Sequence, residues 1–142
     1  MADLATLSHR IFDEVWNQQN LDVAGELISA DFVMHDPNSV RNGIEAYKQF
    51  VREYRSAFPD LHFTIEDHVA DDTTVATRWS CTGTHNGEIM GIPATGRRVQ
   101  MTGVVFSKAV DGKFVESWSS WDALSLMQQL GVIPPREVAE AA

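Results

Sequence analysis

The sequence predicts an α+β fold, with helices packed on one face of an antiparallel sheet. Up to Phe58 the apolar residues recur mainly at helical spacing, interrupted by one short strand. Beyond Pro59 they alternate with polar residues in four runs separated by turn formers. A length of 142 residues, 44% of them apolar, suits one ordinary core rather than two. A single domain over residues 1–142 is therefore expected, with residues 135–142 as a frayed tail.

Leu4, Leu7, Ile11, Phe12 and Val15 lie on one helical face and predict a first helix ending near Asn17 to Asn20. Asp22 is a suitable cap for a short second helix carrying Val23, Leu27 and Ile28. Phe32-Val33-Met34 reads as a brief strand, stopped by the turn-rich His35-Asp36-Pro37-Asn38. A third helix is expected from about Gly43 to Ala57, burying Ile44, Tyr47, Val51, Tyr54 and Phe58, and Pro59 ends it. Leu61, Phe63 and Ile65 then alternate as a strand. In the next strand, Val75 to His85, the odd positions are the more apolar and should face inward. Asp71-Asp72 connects those two strands. A turn-rich loop, Asn86 to Gly96, leads into Arg97 to Lys108, and Asp111-Gly112 is a hairpin signal into Lys113 to Ser120. A closing helix runs from about Asp122 to Leu130, with Gly131 beyond it.

Eleven Lys and Arg stand against 20 Asp and Glu, a net charge of −9. Such a surface repels nucleic acid and anionic membranes, so neither is an expected partner. Cys81 is the only cysteine, which removes internal disulfides and cysteine-based metal sites. The first residues show no basic flank followed by an apolar run, and no stretch reaches the roughly 18 apolar residues that span a bilayer. A cytoplasmic location is expected.

No glycine-rich phosphate loop, Gly-x-Ser-x-Gly elbow or His-Glu-x-x-His helix is present. The five histidines are scattered without metal-ligand spacing, so no metal site is expected. His35 ends a strand beside Asp36, a pairing suited to acid/base work, although Asp36-Pro37-Asn38 is also an ordinary turn. His85 shares the parity of Trp79 and Cys81; it either points at a pocket mouth or bonds the Asn86-Gly87 turn. Asp122 is either a helix cap or an acid/base group, while Trp118 and Trp121 offer a flat wall for a ligand. Ser119 has no base nearby in sequence and is not expected to act as a nucleophile.

The stretch Gly83-Thr84-His85-Asn86-Gly87-Glu88 through Thr95-Gly96-Arg97 resembles a segment of the SnoaL-like polyketide and ester cyclases, members of the NTF2-like superfamily. Asp111-Gly112-Lys113, Gln129-Leu130-Gly131 and the early Phe32 to Pro37 followed by Gly43-Ile44-Glu45-Ala46-Tyr47 agree with it. The resemblance implies a cone-shaped α+β barrel, its curved antiparallel sheet covered by helices around an apolar pocket. It also implies ring closure by intramolecular aldol condensation, without metal or cofactor, and a homodimer. The family's catalytic aspartate falls on Ser119, and its polar pocket residues Gln and His fall on Gly103 and Val105.

With that base replaced, the candidates for acid/base work are His35, His85 and Asp122. Tyr54, Phe58, Trp79, Met101, Val105, Ser119 and Trp121 are expected to contact the ligand. Alternation adds Gly103 and Ser117 to the concave wall and puts Val104, Phe106 and Trp118 on the outer face, where they suit a dimer interface. Three readings remain open. The first is a cofactor-free enzyme that cyclises or isomerises a hydrophobic, cyclic or polyketide-like compound by proton transfer. The second is a non-catalytic binder of such a ligand. The third is an epoxide-hydrolase-like enzyme, which needs acids flanking an arginine; Arg78 and Asp122 are the nearest to that set, and Arg78 has outward parity.

Overall fold

A computed structural model describes residues 3–134; the tail expected at 135–142 lies outside them. Asp3 caps the first helix, α1 (Leu4–Arg10), its side chain accepting the Ala5 N–H at 3.2 Å. The helix widens into a π-helical stretch, Ile11–Asn17, where Gln18 N–H donates to the Asp13 carbonyl. The predicted stripe from Leu4 to Val15 is buried, and Trp16 joins it.

The next segment departs from its sequence reading. Leu21–Val23 is a 3-10 turn and α2 is only Ala24–Leu27, so Asp22 sits within the turn instead of capping a helix. Ile28 leaves the helix altogether and opens β1 (Ile28–Asp36), a nine-residue strand instead of the brief one at Phe32–Met34. An irregularity between Ile28 and Val33 masks its alternation. Asp36 and Ser39 are register partners, so Pro37-Asn38 turns the chain into β2 (Ser39–Asn42). That strand has one apolar residue, Val40, which is exposed, and so lacks a periodic signal.

The third helix, α3 (Ile44–Ala57), matches its expected span and buries Tyr47, Phe50 and Val51. Each such side chain contributes about 1.5–3 kcal/mol when fully removed from water. Four strands follow as a meander: β3 (His62–Ala70), β4 (Thr74–Thr84), β5 (Arg98–Val110) and β6 (Lys113–Trp121). Asp111 and Gly112 both hold positive φ, 52° and 80°, as the tight turn between β5 and β6 requires. α4 (Ala123–Gln129) closes the described chain.

The six strands form one curved, unclosed sheet in the order β2-β1-β6-β5-β4-β3. Every neighbouring pair is antiparallel except β1 and β6, which run parallel. This joint sets an early strand beside the last one. On β4, Val75, Thr77, Trp79 and Cys81 all point into the core, as their parity predicts.

Candidate functional site

The helices and the inner face of the sheet enclose a cavity whose walls are mostly aromatic and aliphatic. The first helical segment contributes Ser8, Ile11, Phe12 and Trp16, and α3 contributes Tyr47, Phe50 and Tyr54. Phe63, Trp79, Cys81 and Met101 line the side toward β3, and Phe32 and Met34 the side toward β1. Rings lock these walls together: Phe63 lies 5.0 Å from Trp16 and 5.1 Å from Trp79, centroid to centroid.

The polar groups within this wall are few. Trp16 Nε1–H donates to Tyr47 Oη at 3.0 Å, and burial pushes the Tyr47 phenol up to about 12 against the weaker pull of that bond. Ser8 and Thr77 share a buried hydroxyl–hydroxyl bond of 2.7 Å. Ser107, Ser117 and Ser119 also line the cavity. Asp36 is the one carboxylate lining it among the described residues, and no Lys, Arg or His joins it there.

Asp36 enters by strand parity. Phe32 and Met34 point inward from β1, so Asp36 follows them and His35 between points out. Trp121 Nε1–H donates to Asp36 Oδ1 at 2.9 Å, and the Asn38 backbone N–H donates to Oδ2 at 3.0 Å. The carboxylate is thus held at both oxygens, with lone pairs left for a ligand. The Tyr54 ring stands edge-on to Trp121. Burial, the Asp36 charge and the Glu53 charge raise the Tyr54 phenol against the opposing Arg41, so it keeps its proton.

The three expected acid/base residues lie off this cavity. His35 is on the outer face, with Nε2 at 2.7 Å from Glu116 Oε2 and its ring stacked on Trp118. His85 is fully buried against Phe58, and its Nδ1 accepts the Thr95 N–H at 3.2 Å. Asp122 caps α4 by accepting the Ser125 N–H at 2.9 Å. Of the expected contact residues, Tyr54, Trp79, Met101, Val105, Ser119 and Trp121 do line the cavity, as does Ser117. Phe58 does not: it fills the space beneath Gly83, where an added Cβ would meet its Cβ at 3.0 Å. Gly103 is covered by two indoles; a Cβ there would stand 2.5 Å from Trp79 Cζ2 and 2.7 Å from Trp121 Cβ. Trp118 faces outward with Val104 and Phe106, so only Trp121 of that pair serves as a wall. Arg78 lines an outer groove with Glu66 and Asp122, which leaves the acid–arginine set of an epoxide hydrolase unassembled inside. Among the described residues no group of three or more His, Cys, Asp or Glu is placed to hold a metal ion.

The sequence pattern of the SnoaL-like polyketide cyclases matches residues 6–130. The chain belongs to this family. Aklanonic acid methyl ester cyclase DnrD of Streptomyces peucetius is 27% identical over 124 residues, covering 83% of this chain and 84% of that one. TsrD from Streptomyces laurentii superposes with a TM-score of 0.84 at 27% identity, over 92% of this chain and 96% of its own. A SnoaL-like polyketide cyclase from Agrobacterium tumefaciens C58 gives 0.77 at 27% identity, over 92% and 100%. In this SnoaL-like chain two of the family segments clasp one another. Arg97 donates to the Gln129 carbonyl at 3.1 Å, and the Gln129 side chain pairs with the backbone of Gln100 at 2.8 and 2.7 Å. These motif residues therefore fasten α4 to the start of β5, away from the cavity.

Proposed function

We propose that this protein is a cofactor-free cyclase-type enzyme in which Asp36 transfers a proton on a hydrophobic small molecule. The observation that carries the proposal is the one carboxylate that the described residues place in the wall of a mostly apolar cavity, anchored there by an indole N–H. The register Met34 to Ser117 and His35 to Trp118 continues to set Asp36 abreast of Ser119. The carboxylate that the family carries at the Ser119 position thus has a counterpart one strand aside, about 4.8 Å away in backbone spacing. Asp36 takes a proton from carbon next to a carbonyl, the Tyr54 hydroxyl donates to the developing enolate oxygen, and the enolate carbon attacks a second carbonyl of the same molecule. The proton returns from Asp36 to the new alkoxide, so the step is balanced without a cofactor.

Aklanonic acid methyl ester, named for the relative DnrD, is the first substrate to try. Ring closure followed by absorbance should fall by about 10²–10⁴-fold in Asp36→Asn, the range for a lost general acid/base. An unchanged rate in that variant removes Asp36 from the chemistry. Tight binding of the ester with no turnover by the wild type favours the non-catalytic reading.

The outer face supports a homodimer. Val104, Phe106 and Trp118 are exposed there, and apolar surface left in water costs about 25 cal/mol per Å².

A further inference from the structure

Ser107 and Ser117 are register partners on β5 and β6, both more than nine-tenths buried, and both line the cavity. Neither hydroxyl has a hydrogen-bond partner among the described residues, whereas Ser8, also in the wall, bonds Thr77 and the Tyr47 hydroxyl accepts the Trp16 Nε1–H. A hydroxyl that stays open to the cavity, on an otherwise buried residue and without a protein partner, is free to bond a ligand. Along β6, Ser117 lies two residues from Ser119 and four from Trp121, about 7 and about 14 Å at 3.4 Å per residue. The cavity therefore has a neutral hydroxyl pair at one station and the Asp36–Trp121 pair at another, with Ser119 between them.

We propose that Ser107 and Ser117 form a subsite for an uncharged oxygen of the ligand, a ketone or ester carbonyl. The same wall then rejects the corresponding carboxylate. An anion would sit beside Asp36 with no Lys, Arg or His lining the cavity among the described residues, so neutral hydroxyls alone would replace its lost hydration. A carbonyl asks only for a hydroxyl donor, which each serine supplies. This substrate class deepens the proton-transfer reading and rests on it for the role of the bound carbonyl compound, but its recognition requires no turnover.

The test uses three probes of one shape, 2-acetonaphthone, 2-ethylnaphthalene and 2-naphthoate, titrated at pH 7 by calorimetry. Wild type is expected to bind the ketone at least tenfold more tightly than the naphthoate. The double variant Ser107→Ala/Ser117→Ala should lose about tenfold for the ketone and nothing for the hydrocarbon, with the melting temperature confirming its fold. Asp36→Asn should keep ketone binding and gain affinity for naphthoate. Equal ketone affinity in the double variant and wild type, or naphthoate bound as tightly as the ketone, overturns the subsite. Neither result bears on turnover, and loss of the Asp36 role would leave the ketone titrations unchanged.

Discussion

Trp121 Nε1 and Asp36 Oδ1 stand 2.9 Å apart, joining the end of the last strand to the end of the first across the parallel joint of the sheet. The indole N–H holds the carboxylate, so in the proposed reaction Trp121 serves as a positioning residue. Trp121→Phe keeps most of the wall but removes the donor. A hydrogen bond to a charged acceptor is worth about 1.5–3 kcal/mol, so kcat should fall at least tenfold while KM changes little. A rise in KM with kcat preserved would make Trp121 a binding wall only.

Gly103→Ala adds one methyl where two indoles already meet. Overpacking of this kind costs about 1–3 kcal/mol, enough to lower the melting temperature by several degrees. Because the displaced ring includes Trp121, activity should fall further than stability alone explains. Unchanged melting and turnover would show that the indoles yield freely.

Burial pushes the Cys81 thiol up to about 12, against the smaller effect of its Met101 backbone bond. The thiolate is the reactive form, so a disulfide reagent at pH 8 should label native protein far more slowly than urea-unfolded protein. Prior addition of a cavity ligand should slow it again, since Cys81 lines the same wall.

Asp60 accepts the Thr84 N–H at 2.6 Å and its hydroxyl at 2.8 Å, and these bonds hold its carboxyl below the usual range. A depressed folded pKa stabilises above the unfolded value, and the gain is lost as pH falls through the folded one. Wild type should therefore melt above Asp60→Asn at pH 7, and the gap should narrow on acidification below about pH 4. A gap independent of pH would assign the effect to shape instead of charge.

His35→Ala is expected to leave turnover within about twofold, because the ring lies on the outer face against Trp118. The same face should carry the dimer. Sedimentation at micromolar concentration is expected to give a dimer for wild type and a monomer for Trp118→Asp. A wild-type monomer would leave the patch of Val104, Phe106 and Trp118 without its proposed cover.

Much of this architecture is legible in the residues. The stripe of α3, the odd-numbered inner face of β4 and the Asp111-Gly112 turn follow from periodicity and turn chemistry alone. The long β1 and the short β2 do not, since a bulge breaks the alternation of one and the other is too polar and brief to show any. The site suffers from the same gap. His35 is the more familiar acid/base residue, yet the apolar Phe32 and Met34 fix the parity that sends Asp36 inward. His85 carries inward parity too, but its strand has ended and the Thr95 loop folds over it. The link between Asp36 and Trp121 depends on which strands pair, and no local pattern reveals a parallel joint.

That joint also governs when the site comes into being. Asp36 and Trp121 are 85 residues apart, so a ribosome making 5–20 residues per second separates their synthesis by on the order of ten seconds. β5 is itself made late in that interval, and until β6 follows it nothing lies between β5 and β1. The closing step is a long-range insertion, the slowest kind of contact for a small domain to form. A product cut short before Lys113 keeps α3 and the aromatic walls of β3 to β5 but lacks the indole that anchors Oδ1 of its carboxylate. The indole anchor of Asp36, on which the proposed proton transfer rests, therefore appears late, with the docking of β6.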